Sequence, residues 1–221
     1  MSILILMRHG QASFGADSYD ALSEVGRKQA CATGAWLRQR EQHFSTVWHG
    51  PRRRQADTAT EVMGEVVMAA GPLMTPALDE FGEGEEVLAA AAALFGRPMS
   101  GPEAPSRREQ LRCYNWAIAE WSRGAVEIPG RQNFQSFRGA VRGWLHDRVH
   151  DEGSPSGWCE LAVTSAGLIS AAVCEVLDLP DSQWHPLLQV IQNASVTELA
   201  FSGGRCGLRS FNSVGHLPQA I

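Results

Sequence analysis

The stretch Ile3-Leu4-Ile5-Leu6-Met7-Arg8-His9-Gly10-Gln11 decides how this chain folds. Five apolar residues run without interruption and stop at a charge. A strand with one wet face would alternate apolar and polar residues. A short continuous run suits a strand buried on both faces, as in a parallel sheet. Arg8, His9 and Gly10 then stand at its carboxyl end, and open α/β sheets bind their ligands just beyond the carboxyl ends of strands.

Working outward, the same unit recurs. Ser23 offers an N-cap, and a helix is expected to about Arg40. Leu22, Val25, Ala32, Thr33, Trp36 and Leu37 share one face, opposite Glu24, Arg27, Lys28 and Arg38. Thr46-Val47-Trp48 reads as a second strand, followed by a Gly-Pro-Arg-Arg-Arg turn. The next helix carries Ala56, Ala59, Met63, Val66 and Val67 as its stripe. Leu161-Ala162-Val163-Thr164 is a third buried strand. It leads into a helix with the rows Leu168, Ala172, Val176 and Ile169, Val173, Leu177. Three strand-turn-helix units indicate an α/β fold with a mainly parallel sheet. Ser195 to Phe201 and Cys206 to Phe211, joined through Gly203-Gly204, predict a closing β-hairpin.

The middle differs. From Glu85 to Val149 the pattern is helical, broken by Gly/Pro-rich joints at Gly96–Pro105 and Gly124–Gln132. Leu111, Tyr114, Ile118 and Trp121 form one stripe; Phe137, Val141, Trp144 and Leu145 form another. The segment reads as a helical insertion at about 85–150, packed over the sheet of a single domain spanning 1–221. Only Asp151–Gly157 resembles a linker.

Composition narrows the function classes. Of 221 residues, 44% are hydrophobic and 19% charged, an ordinary globular balance. A net charge of -5 argues against a general nucleic-acid surface. Five dispersed cysteines lack ligand spacing and fit reduced thiols of a cytoplasmic protein. The first apolar run is too short for a signal peptide, and no stretch approaches the roughly 20 apolar residues of a membrane span. His146 and His150 have a zinc-compatible spacing but no third ligand, so no metal and no cofactor is expected.

An acidic protein that binds phosphate must concentrate positive charge locally. Arg8 and the run Arg52-Arg53-Arg54 do this after the first and second strands. Arginine forks match phosphate oxygens bidentately. Gly10 can take a backbone angle that brings the chain close to an anion. A neutral imidazole beside such a fork can attack phosphorus.

Met7-Arg8-His9-Gly10-Gln11 resembles the phosphohistidine motif of the histidine phosphatase (phosphoglycerate-mutase-like) superfamily. Leu22-Ser23-Glu24-Val25-Gly26-Arg27-Lys28-Gln29-Ala30 is similar to a second conserved-type segment of that family. Arg54-Gln55-Ala56-Asp57-Thr58-Ala59 looks like the segment that supplies its second arginine, and the register selects Arg54 over Arg52 and Arg53. Leu78-Asp79-Glu80 matches the segment that carries the proton donor. Asn193 to Leu199 and His216-Leu217 resemble the closing hairpin and tail.

The resemblance implies a three-layer sandwich with helices on both faces of the sheet. It implies a metal-independent phosphatase with His9 as nucleophile and Glu80 as general acid, Glu83 being a weaker competitor. Arg8, Arg54, Gly10, Gln11, Ser165 and Ala166 would surround the phosphate. The ligand would be a small phosphorylated metabolite, with a homodimer left open. The mutase-type start of the family is absent, since Gln11 and Gly15 stand at its positions.

One departure is plain. After the third strand the family shows Ser-His-Gly, and this chain reads Ser165-Ala166-Gly167. A methyl group can neither donate a hydrogen bond nor carry charge. Three readings follow. The chain is a slow or specialised phosphatase; or His49 or His216 fills the gap; or it binds a phosphorylated ligand without turnover. Arg107, Arg108, Arg112 and Arg138 are candidates for a second anionic group of that ligand.

Overall fold

The computed structural model describes residues 1–13, 20–66, 71–149 and 157–218. Gly15, Val67, His150 and most of the Asp151–Gly157 stretch, all invoked above, lie outside them. The described chain is an α/β sandwich around a six-stranded sheet of order β3-β2-β4-β1-β5-β6. β1 (Ser2–Arg8), β4 (Cys159–Thr164), β2 (Thr46–His49) and β3 (Leu73–Met74) are parallel. β5 (Val196–Ser202) runs antiparallel to β1, and β6 (Arg205–Ser213) antiparallel to β5. The β5–β6 turn uses Gly203 and Gly204, both at positive φ (56° and 73°), as a two-residue hairpin turn demands.

The opening run behaves as its pattern requires. Ile5 and Met7 belong to the core on one sheet face, with Val47, Leu161 and Val163. Leu4 and Leu6 belong to the core on the other. The first face is covered by α1 (Glu24–Gln39) and α2 (Arg53–Glu65). The second carries α3 (Gly84–Phe95), α4 (Arg107–Ser122), α5 (Phe134–Val149), α6 (Ala166–Val176) and α7 (Trp184–Val190). Trp121, Trp184, Phe134, Phe137 and Phe81 form an edge-and-face aromatic cluster that joins α4, α5 and α7 below the strand ends.

Two expected helix faces need correction. On α1 the buried residues are Gly26, Gln29, Ala30, Thr33, Gly34 and Leu37, and Val25 is exposed. Close backbone approach sets that face. A Cβ at Gly34 would lie 2.7 Å from the carbonyl oxygen of Val62 on α2. On α4, Leu111 is exposed, and Cys113 and Ala117 join Ile118 and Trp121 in the buried stripe. The stripe Phe137, Val141, Trp144 and Leu145 of α5 is buried as expected.

Among the described residues no helix is long and apolar enough to cross a membrane.

Candidate active site

A cavity of about 250 Å³ opens beyond the carboxyl ends of β1 and β4. Arg8, His9, Gln11 and Ala12 enter it from the end of β1, Arg54 from the first turn of α2, and Ala166 from the start of α6. Glu80 to Gly84 form one wall. Tyr114, Asn115 and Ile118 of α4, with Leu188 of α7 and Asn193, close the rest. A larger groove of about 890 Å³ lies between the carboxyl end of α4 and α7. It contains none of the motif residues, so size does not make it the site.

His9 is nearly sealed from solvent. Its backbone N–H donates to Thr164 O, and Asn193 Nδ2 donates to its carbonyl at 3.1 Å. The ring contacts define its tautomer. Nδ1 lies 2.8 Å from Gly10 O, which only accepts, so Nδ1 carries the proton. Nε2 faces Arg54 Nε at 3.2 Å, which only donates, so Nε2 holds the lone pair. Burial and the positive charges of Arg8 and Arg54 hold its pKa well below the usual imidazole value. The result is a neutral imidazole whose lone pair points at a guanidinium.

At Gly10 the structure shows a requirement for space, with no positive φ. A Cβ there would stand 2.4 Å from Gly26 O of α1. The Gly10 N–H donates to Thr58 Oγ1 (3.0 Å), which itself donates to Arg54 O (2.7 Å). The Arg54 segment and the β1 corner are thereby tied through one hydroxyl. Gln11 donates its N–H to Gln29 Oε1 and accepts from Ser23 Oγ. That contact accounts for part of the second motif: Ser23, Gly26 and Gln29 shape the loop behind His9.

Arg54 is buried, and its Nη1 donates to Asp20 Oδ1 (2.7 Å) and to both Glu83 oxygens (3.1 and 3.2 Å). Burial opposes its charge, but Glu83 and Asp20 outweigh this and raise its pKa. Arg8 Nη1 donates to Ile191 O, which turns its guanidinium toward the cavity mouth beside Asn193. Arg52 pairs with Asp79 and Glu83, outside the cavity, as the motif register anticipates.

Glu80 lines the same cavity as His9 and is half-buried. Burial pushes its carboxyl pKa up to about 6, against the partial relief of N–H donation from Phe81 (3.0 Å), the Arg54 charge, and Gly167 N–H (3.4 Å). Gly167 is the second steric necessity. A Cβ there would lie 2.2 Å from Glu80 Oε1. Glu83 is a different kind of acid: it caps α3 and is engaged by Arg52 and Arg54.

Ser165 does not line the cavity. Its Oγ accepts from Gln55 Nε2 at 2.9 Å, and the side chain makes no cap to α6. The expected role of the Ser165 side chain as a phosphate contact is therefore not supported by its placement. Ala166 does line the cavity, and neither named substitute reaches it. His49 Nδ1 bonds Gly50 O at 2.7 Å, and His216 stacks on Trp36 with Nε2 3.0 Å from Thr33 Oγ1. Among the described lining residues, His9 is the sole imidazole. Sequence reading missed Asp20, Tyr114, Asn115 and Leu188. They lie on elements without motifs, and topology alone brings them to the strand ends.

Two arginines flank a neutral imidazole at the carboxyl edge of an α/β sheet, in one cavity with a half-buried acid, an arrangement that can hold an anion against an unprotonated ring nitrogen. The histidine phosphatase superfamily (branch 1) model matches residues 4–214, and the chain belongs to that family. The fold is shared with a phosphoserine phosphatase from Entamoeba histolytica (TM-score 0.67, 18% identity, 99% of this chain and 100% of that one). It is shared also with a mycobacterial glucosyl-3-phosphoglycerate phosphatase (0.66, 22%, 96% and 99%). A phosphoglycerate mutase from Bacillus anthracis is similar as well (0.65, 18%, 97% and 94%). At these identities the likeness is one of fold. No curated protein matches the sequence.

Proposed function

We propose that the protein is a metal-independent phosphomonoesterase that works through a phosphohistidine on His9. The observation that carries this reading is the pair of ring contacts at His9, Nδ1 against the Gly10 carbonyl and Nε2 against Arg54 Nε, inside an arginine-lined cavity. A phosphate monoester entering the cavity would draw Arg54 from His9 Nε2 and from its two carboxylates onto phosphoryl oxygens. Arg8 would hold the other side. The Nε2 lone pair then attacks phosphorus as the ester P–O bond breaks in line. Protonated Glu80 gives its proton to the departing oxygen, and a carboxyl pKa near 6 suits that task. In the second half, the Glu80 carboxylate takes a proton from water as water attacks the phosphohistidine. Inorganic phosphate and neutral His9 are restored.

Ala166 makes this a weakened member of its family. Loss of one preorganised donor at such a site typically costs about 10²–10³ in rate. With His49 and His216 engaged elsewhere, a slow or specialised phosphatase is the reading we adopt, with the helical segment α3–α5 as the cap that shapes its leaving-group side. A phospho-ligand sensor without turnover is the second reading, favoured by the carboxylates that engage Arg54. Steady-state hydrolysis of phenyl phosphate separates the two. Turnover above a His9→Ala control is expected. Phosphate binding with no turnover above that control would establish the sensor instead.

A further inference from the structure

We propose that the site takes phosphomonoesters whose leaving group is small, uncharged and largely apolar, such as a phenol or short alkyl alcohol, and disfavours a second anionic group. This rests on the reading of His9 as the phosphoryl site and gives it a substrate class.

All 19 Lys and Arg residues fall within the described chain. Only Arg8 and Arg54 line the catalytic cavity, and both flank His9, where the phosphoryl group must go. The leaving group therefore meets the opposite wall, made by Phe81, Tyr114, Ile118 and Leu188 with the neutral amide of Asn115. Among the described lining residues the remaining acids are Glu83, which is ionised beside Arg54, and Glu80, which carries the proton for the leaving oxygen. A carboxylate or second phosphate on the leaving group would lose water against apolar side chains, gain no cation and face like charge.

The arginines suggested for a second anion are placed otherwise. Arg138 is buried and paired with Glu175 and Asp181. Arg112 lines a surface depression beside Trp116 and Phe95, on the far side of Asn115 from the cavity lining, and neither Arg107 nor Arg108 lines the cavity. Arg131 lines the larger groove and is held by Glu86. A volume of about 250 Å³ also lies below the range of roughly 300–1,000 Å³ usual for drug-sized ligands, which favours a compact alcohol.

The test uses the intact protein and two non-hydrolysable probes, phenylphosphonate and phosphonoacetate, titrated by calorimetry near pH 7. Phenylphosphonate is expected to bind at least about tenfold more tightly. In parallel, kcat/KM for phenyl phosphate should exceed that for 3-phosphoglycerate by a similar factor. Leu188→Arg should narrow both ratios by placing a cation on the apolar wall. If that variant fails to fold, Asn115→Arg, on an exposed position of α4, makes the same test. Equal or tighter binding of phosphonoacetate by the natural protein, or binding of neither probe, overturns the proposal. Selective binding of phenylphosphonate without turnover of either ester would uphold the substrate class and overturn the phosphatase reading alone.

Discussion

Two histidine-glycine corners flank β4, His9-Gly10 just after β1 and His49-Gly50 at the end of β2. Locally they are alike. Each imidazole sets its Nδ1 against the carbonyl of the following glycine, at 2.8 and 2.7 Å. Each glycine is needed for space, Gly10 against Gly26 O and Gly50 against Gln55 Oε1 and Leu78 O. Register and charge separate them. His49 pairs with Val163, level with Met7, and so stops two residues short of His9. It does not line the cavity, whereas His9 does, against Arg54 and with Arg8. A tautomer-locked histidine at a strand end is thus a common local form. What sets His9 apart is the pair of arginines and the extra reach, on which its proposed role as nucleophile rests.

The largest expected effect breaks the pair apart. His9→Ala should lower kcat for phenyl phosphate on the order of 10⁴-fold or more, to the level of a blank. His49→Ala should stay within about twofold in the same assay, and comparable losses from both would remove the distinction. Next in size, Arg54→Ala should cost about 10²–10³ in kcat/KM, because it removes a phosphoryl ligand, takes the guanidinium from Asp20 and leaves Glu83 to Arg52 alone. The β4 corner between the two histidines offers the opposite test. Ala166→His should raise kcat by about 10- to 10³-fold. An unchanged or lower rate would mean that the methyl leaves no productive space for an imidazole.

Much of the site was legible in the sequence because it lies on short motifs at strand ends. The apolar run before Arg8 marked the strand, and the four-residue step from Arg54 to Thr58 pointed to the one arginine of the three that lines the cavity beside His9. Thr58 turns out to bond Gly10 N–H, so that spacing has a physical basis. The reach of Ser165 was misjudged, because its hydroxyl is claimed by Gln55, a long-range partner 110 residues away. Val25 and Leu111 were misplaced for a similar reason. Periodicity names an apolar face, but backbone approach at Gly26 and Gly34 and the packing of α4 decide which side is covered. The leaving-group wall was invisible, since Tyr114, Ile118 and Leu188 belong to helices whose relative placement no local pattern encodes.

Smaller effects sharpen the role of the acid. The Glu80 carboxyl must be protonated for the first step, so kcat/KM should fall as pH rises through about 6. On the acid side activity should persist well below the ordinary imidazole pKa, because His9 resists protonation. Glu80→Gln should flatten the alkaline limb. The same shift bears on stability. The folded-state pKa is raised, so stability is fully present below the ordinary carboxylate value of 4.5 and is lost as pH rises through about 6. Glu80→Gln should therefore stabilise the protein by up to ~2 kcal/mol at pH 8 and by little at pH 4. Urea unfolding at the two pH values measures this. A loss of stability at pH 8 would show that the N–H groups of Phe81 and Gly167 need the carboxylate more than burial penalises it.

The most direct measurement is a rapid quench into alkali during turnover of a phosphate-radiolabelled aryl ester, followed by peptide mapping. Label that is acid-labile, alkali-stable and confined to the peptide carrying His9 is the expected result. Continued turnover with no trapped label, or label on any other residue, His49 included, would contradict a phosphohistidine at the end of β1.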